Sequence, residues 1–365
     1  MENGSGRLQK LESRVFSGER LGEEEALFLA TEVPTPLLVD MADRLRRELN
    51  GDRVFYNRNI HFEPTNQCLY DCLFCAFRRD VGTGPEKGGW LLGADDLLRR
   101  LEAFPKGTLT ELHITGGVHP GRNLEWAESF LRTLRAARPE LHLKAFTAVE
   151  IDYFARSSRT TVEEALARLK EAGLGSLPGG GAEIFAPEVR RRIAGGKAPA
   201  QRWIEVHRAA HRIGLPTNAT MLYGHVESAA QRVDHLLRLR DLQEETGGFQ
   251  AFVPLRYRNG NNRLSALPEI SADEERRVFA LSRLVLNNVR HLKVYWVMSG
   301  MERALGLLRC GGDDLDGTIN DSTRIYSMAG GQEHPCCDEK GMRLAIEAAG
   351  RVPCERDSLY RVLER

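Results

Sequence analysis

Cys68, Cys72 and Cys75 stand in the run Gln67-Cys68-Leu69-Tyr70-Asp71-Cys72-Leu73-Phe74-Cys75-Ala76-Phe77, a C-x3-C-x2-C triplet that one short loop can wrap around a single metal cluster. Cysteine thiolates hold iron–sulfur clusters, and a four-iron cluster gripped by only three sulfurs keeps one iron without a protein ligand. That open iron is where chemistry is expected. A zinc site needs a fourth ligand, usually from a second Cys or His pair at matching spacing, and the sequence offers no such pair. Three buried thiols acting as small apolar side chains would be the structural alternative, and the charged and polar residues between them count against it. An electron carrier or redox sensor would use four ligands and little scaffold, which this long chain does not resemble.

Further runs carry polar or flexible residues where a strand should end. Leu112-His113-Ile114-Thr115-Gly116-Gly117-Val118-His119-Pro120 places two glycines after an apolar run, which signals a turn or a close backbone approach. Lys144-Ala145-Phe146-Thr147-Ala148-Val149-Glu150-Ile151 offers Thr147 and Glu150 for hydrogen bonds. Ser176-Leu177-Pro178-Gly179-Gly180-Gly181-Ala182-Glu183-Ile184-Phe185 can lie flat against a ligand, and the N–H groups of Gly179, Gly180 and Gly181 suit an anion, although no Walker-type phosphate motif is present. In Thr217-Asn218-Ala219-Thr220-Met221-Leu222-Tyr223-Gly224-His225, a period of two puts Asn218 and Thr220 on one face. His119 and His225, at strand ends, are the candidates for a general acid or base near neutral pH, with packed structural histidines as the other reading.

The elements that must position these residues follow an α/β order. Residues 7–50 carry helical apolar spacing broken at Pro34 and Pro36, which predicts a helical extension over residues 1–54. From Ile60 onward short β-like runs alternate with amphipathic helical stretches, the pattern of parallel strands and crossover helices. Strands are expected at 60–64, 111–115, 142–147, 176–178, 217–222, 250–255, 294–298 and 314–318. Eight is the barrel number, so a (β/α) TIM-type barrel, complete or nearly so, is expected over 55–300, with residues 301–365 completing or capping it. Helices are predicted at 161–172, closed by Gly173, and at 200–213, closed by Gly214. In such a barrel the triplet, following the first strand, falls at the C-terminal face where active sites lie.

Composition narrows the function classes. With 51 basic and 51 acidic residues, formal net charge is zero, so no overall field draws in nucleic acid or an anionic membrane. Small-molecule partners are expected. Hydrophobic residues at 42% and charged residues at 28% suit a globular protein with a sizeable core. The N-terminal residues lack the basic-then-apolar pattern of a signal peptide, no apolar run reaches membrane-spanning length, and a cytoplasmic location is expected. Cys310, Cys336, Cys337 and Cys354 are scattered at spacings that suit no common cluster loop and read as free thiols.

The triplet after the first strand, with Phe74 before its third cysteine, resembles the radical S-adenosylmethionine superfamily. The resemblance implies a site-differentiated [4Fe-4S] cluster on Cys68, Cys72 and Cys75. Its open iron chelates S-adenosylmethionine, which is then cleaved to methionine and a 5′-deoxyadenosyl radical. It further implies cofactor contacts from Phe74, Gly116, Gly117, Thr147, Glu150, Glu183 and Asn218, and a reduced flavodoxin or ferredoxin as electron donor. Within the superfamily, the runs around residues 145–151, 177–185, 217–225 and 248–255 resemble the aminofutalosine synthases of menaquinone biosynthesis. Cyclic dehypoxanthinyl futalosine synthases and deazaflavin (F0) synthase radical subunits share the general layout. The aminofutalosine synthase resemblance implies addition of the radical to 3-[(1-carboxyvinyl)oxy]benzoate, then rearrangement and loss of a carboxyl group. That substrate has two carboxylates, which require charge-assisted donors when buried, so Lys144, Arg256 and the 179–181 backbone, with Thr220, are expected at the substrate.

Overall fold

The computed structural model describes residues 4–318, 324–331 and 335–364. Three helices come first, Gly4–Phe16, Glu23–Thr31 and Thr35–Asn50. Pro36 falls in the first turn of the third, where a missing N–H leaves no intrahelical bond unmade. That helix buries Leu38, Met41, Ala42 and Leu45, a stripe at helical spacing, and packs on the helix Ala272–Val285.

Among the described residues nine short strands follow: β1 Arg53–Asn57, β2 Asn59–Phe62, β3 Glu111–Ile114, β4 His142–Ala145, β5 Thr217–Tyr223, β6 Phe249–Arg256, β7 His291–Leu292, β8 Asp314–Gly317 and β9 Val352–Glu355. They form three parallel three-stranded sheets, in the orders β8-β1-β9, β2-β3-β4 and β5-β6-β7. Isolated parallel bridges join Lys144 to Ser176, Leu177 to Thr217 and Lys293 to Asp314. Parallel strands need long crossovers, and helices such as Leu124–Ala137, Val162–Glu171, Ala200–Arg212 and Ala229–Thr246 supply them. Thr161 caps the helix at 162 by accepting from Glu164 N, and Gly173 and Gly214 follow their helices with positive φ, as their positions predict.

Two strand expectations change. The run 176–178 makes two isolated bridges rather than a strand, because Pro178 lacks an N–H and three glycines follow it. Residues 294–298 are not a strand: the pairing residues are 291–293, and Trp296–Ser299 is a helical turn. A five-residue apolar run has no periodicity to separate the two. β1 spans residues 54 and 55, and β9 pairs with β1, which places the last described strand beside the first.

A candidate active site around the cysteine loop

The loop leaving β2 is pinned by backbone bonds to four distant segments. Cys68 N donates to Arg79 O at 3.0 Å, Leu69 N to Val118 O at 2.8 Å and Leu73 N to Ile193 O at 2.8 Å, while Leu73 O accepts from Arg263 N at 2.9 Å. Gly116 and Gly117 make this possible. A Cβ on Gly117 would stand 2.3 Å from Gln67 O, and one on Gly116 2.9 Å from Thr65 O, so only glycine lets the loop lie against the end of β3.

The thiols fit a cluster. Val118 N and Tyr70 N donate to Cys68 Sγ at 3.3 and 3.4 Å, the kind of bond that tunes ligand sulfurs. Burial pushes the Cys72 thiol up to about 12 and raises Cys75, against the pull of nearby Lys197; bound iron would displace these protons. Among the described residues no three His, Cys, Asp or Glu side chains converge on a point that could hold one ion. A cluster asks for something different, since each thiolate binds a separate iron corner.

Cys75 opens onto a cavity of about 310 Å³. One wall is the cysteine loop, with Phe74, Cys75, Ala76 and Phe77, and another is Pro178 to Gly181. Alternate residues of the strands face it: His61 of β2, His113 of β3, Asn218, Thr220 and Leu222 of β5, Val253 and Leu255 of β6, and Asp316 of β8. Two buried ion pairs line it. Lys197 Nζ lies 2.5 Å from Glu183 Oε1, and Lys293 Nζ lies 2.5 Å from Asp316 Oδ1. His61 and His113 are register partners whose rings stack at 4.4 Å, and Tyr295 Oη lies 3.3 Å from His61 Nδ1. Burial, with His61 and Lys144 nearby, holds His113 well below the ordinary histidine range.

Of the residues expected from sequence, the cavity gathers Phe74, Cys75, Gly116, Thr147, Gly179, Gly180, Gly181, Glu183, Asn218, Thr220 and Arg256. Thr220 Oγ1 donates to Gly179 O at 2.7 Å and so fixes the glycine run. Cys68 and Cys72 stand on the loop behind it, and five other expected residues lie elsewhere. Lys144 is buried in an ion pair with Glu111 at 2.6 Å, because an unpaired cation there would be too costly. His225 is spent on structure: its side chain is fully buried, with Nε2 at 3.0 Å from Leu222 O and Nδ1 accepting from Val226 N at 2.7 Å. His119, Gly117 and Glu150 border a separate, small pocket beside Arg122 and Trp126. His119 Nδ1 accepts from Gly121 N at 3.0 Å. Glu150 accepts from Thr147 N at 2.7 Å and Thr147 Oγ1 at 2.9 Å, the capping box of the helix Ala148–Ser157. Burial raises its carboxyl to about 7.

The sequence reading missed His61, His113, Lys197, Arg258, Lys293, Tyr295 and Asp316. The signal for two of them was present but faint: Asn59-Ile60-His61 and Glu111-Leu112-His113 alternate polar with apolar residues, and a polar side chain buried in such a strand needs a partner. The remaining cysteines lie apart from this site. Cys310 and Cys354 are buried, Cys337 is half-buried and Cys336 exposed. Among the described residues no helix is long and apolar enough to cross a membrane.

Known proteins match nearly the full length of the chain. Residues 62–239 match the radical SAM superfamily, and residues 246–365 match the CofH/MqnC C-terminal region. The chain is 40% identical to aminodeoxyfutalosine synthase of Thermus thermophilus over 97% of its length and 95% of the relative, and 40% identical to that of Streptomyces coelicolor over 98% and 95%. It is 37% identical to 5-amino-6-(D-ribitylamino)uracil–L-tyrosine 4-hydroxyphenyl transferase of Archaeoglobus fulgidus, over 89% of this chain and 93% of that one. Among solved structures, methylornithine synthase (PylB) shares the fold at a TM-score of 0.74 and 14% identity, covering 94% of this chain and 97% of that one. HydG of Carboxydothermus hydrogenoformans does so at 0.74 and 17%, covering 98% and 82%. The chain belongs to the radical S-adenosylmethionine superfamily, in the branch that carries the CofH/MqnC C-terminal region, and is an enzyme that uses a [4Fe-4S] cluster and S-adenosylmethionine.

Proposed function

We propose that this enzyme is an aminodeoxyfutalosine synthase, joining the 5′-deoxyadenosyl group of S-adenosylmethionine to the enolpyruvyl carbon of 3-[(1-carboxyvinyl)oxy]benzoate, with rearrangement onto the ring and loss of the enolpyruvyl carboxyl. The observation that carries this reading is the near full-length match, at the same identity, to such enzymes from two distant bacteria. We read the parallel succession β2, β3, β4, residues 176–177, β5, β6, β7, β8 and back to β1 as a (β/α) barrel with the cysteine loop over its C-terminal end. The enzyme would work in the cytoplasm, with reduced flavodoxin or ferredoxin as its electron source.

In this reading Cys68, Cys72 and Cys75 hold the cluster, which with S-adenosylmethionine supplies the 5′-deoxyadenosyl radical. The protein's own residues bind, orient and exclude water. Gly179 to Gly181 let backbone N–H groups approach an anionic or ribose group, while Asn218, early in β5, and Thr147, just after β4, offer side-chain bonds. Val253, Leu255 and Tyr295 give an apolar and aromatic surface for a benzoate ring. Substrates filling this largely apolar cavity would keep bulk water from a reactive radical.

The archaeal tyrosine-using transferases favour a second reading, as a deazaflavin (F0) synthase subunit acting on L-tyrosine and 5-amino-6-(D-ribitylamino)uracil. Both are tested together. The anaerobically reconstituted enzyme, given dithionite and S-adenosylmethionine, is offered each substrate set in turn and products are identified by mass spectrometry. Aminodeoxyfutalosine from the enolpyruvyl benzoate, with no condensation product from the tyrosine set, is expected. The opposite pattern would sink the first reading.

A further inference from the structure

The charges that line the cavity do not balance. Lys197 pairs with Glu183 and Lys293 with Asp316, one to one. Arg256 and Arg258, at the end of β6, share a single carboxylate: Arg256 Nη2 donates to Glu269 Oε2 at 2.8 Å, and Arg258 Nε lies 3.3 Å from Glu269 Oε1. Glu275, which also faces Arg256, is already paired with Arg303 at 3.1 Å. Among the described residues, three guanidiniums on this wall, Arg256, Arg258 and Arg303, therefore share two carboxylates, Glu269 and Glu275. Arg256 is only 5% exposed, and its Nε is buried without a hydrogen-bond partner among the described residues. A buried guanidinium with an idle donor is costly unless a ligand completes it.

The surroundings say what kind of ligand. Leu255 and Val253 lie on the same strand, Tyr326 packs edge-on against Tyr295 at 5.2 Å, and all four line the cavity. The segment 324–331 is tied down beside the arginines, with Arg258 Nη2 donating to Gly330 O and Asn261 Nδ2 to Met328 O, each at 2.9 Å. An apolar, aromatic slot closed at one end by a forked cation fits an aryl carboxylate.

We propose that Arg256 and Arg258, bridged by Glu269, are the anchor for the ring carboxylate of the aryl acid, so that the enolpyruvyl arm points toward the cysteine loop. The identity of that acid rests on the function proposed above; the anchor itself rests on the unbalanced arginine pair.

The test is equilibrium binding, by anaerobic calorimetry on the reconstituted enzyme with S-adenosylmethionine present. The probes are 3-[(1-carboxyvinyl)oxy]benzoate and the phenyl ether that lacks the ring carboxylate. A charge-assisted bond contributes about 1.5–3 kcal/mol, so wild type should prefer the carboxylated probe by roughly 10-fold to 100-fold. In Arg256→Gln and Arg258→Gln this preference should collapse while affinity for S-adenosylmethionine is unchanged. Arg258→Lys, which keeps charge without the fork, should restore part of it. Should Arg256→Gln fail to fold, the less buried Arg258 variants decide alone. The proposal is overturned if the preference survives the substitutions, if wild type shows no preference, or if S-adenosylmethionine binding weakens in step, which would assign the anchor to the methionine carboxylate. Failure of the function reading looks different: the preference and its loss appear, yet no aminodeoxyfutalosine forms.

Discussion

Lys197 and Glu183 meet at 2.5 Å between the cysteine loop and the glycine run, and the Lys197 ammonium lies 5.4 Å from the centre of the Phe74 ring. Glu183 sits at a φ of +47°, a left-handed backbone that a non-glycine residue adopts only when its surroundings hold it there. The pair thus fastens the two walls of the cavity together. Burial works against the charge on both groups, and their mutual attraction, with Cys72 beside Lys197, outweighs it, holding Glu183 low and Lys197 high.

Breaking a buried pair by removing one partner leaves an uncompensated charge and costs about 3–5 kcal/mol. Lys197→Met should therefore lower the urea midpoint strongly, and Lys197→Met with Glu183→Gln should recover most of the loss. If the double variant is no more stable than the single one, the pair is not what fastens these walls.

Gly117 is expected to control cluster assembly through backbone space alone. Gly117→Ala puts a methyl 2.3 Å from Gln67 O and must displace the cysteine loop. Iron content and visible absorbance after reconstitution should both fall while the far-ultraviolet circular dichroism stays native. Gly306→Ala, with nothing within 4 Å of the new methyl, is the control and should load iron normally. Equal iron loading in the two variants would remove this role from Gly117.

Glu150 should make stability fall with rising pH. Its carboxyl is raised from 4.5 to about 7, chiefly by burial, so the folded state binds the proton more tightly than the unfolded one. The stabilisation is present in full below about 4.5 and is lost as pH rises through about 7, a change of about 3 kcal/mol. Glu150→Gln keeps a cap acceptor for Thr147 and should flatten the urea midpoint over that window. An unchanged pH profile in the variant would contradict the assignment.

Lys144 separates structural from substrate-binding cations. Because it is sealed against Glu111 outside the cavity, Lys144→Met with Glu111→Leu should leave KM for the aryl acid within about threefold, under 1 kcal/mol. Lys144→Met alone should cost about 3–5 kcal/mol of stability. A tenfold rise in KM for the double variant would return Lys144 to the substrate.

Much of this site was legible in the sequence, for reasons that can be named. Cys68, Cys72 and Cys75 are close in sequence, so their spacing alone encodes a loop geometry. Gly116 and the 179–181 glycines mark strand ends because only glycine tolerates the approaches found there, such as Gly179 against the β5 backbone. What spacing did not carry is pairing between distant residues. Lys144 read as a free cation because Glu111 is a strand away, and His225 read as an acid or base because its bond to Leu222 O depends on a turn closed by Glu227. Thr147 and Glu150 also fit the S/T-x-x-E capping pattern, which holds Glu150 at the helix start, off the main cavity, while Thr147 still lines it. The strand expected at 294–298 slipped because an apolar run buried on all sides looks the same in a helical turn.

The most direct measurement follows the adenosyl group. S-adenosylmethionine labelled with carbon-13 at the adenosyl C5′ is supplied to the reduced, reconstituted enzyme with 3-[(1-carboxyvinyl)oxy]benzoate, and the label is traced by mass spectrometry. The account predicts that the label enters a new carbon–carbon bond in aminodeoxyfutalosine, with one methionine released per product, and that Cys68→Ala, Cys72→Ala and Cys75→Ala each abolish it. Label recovered only as 5′-deoxyadenosine, or product formed without the three thiols, would contradict it.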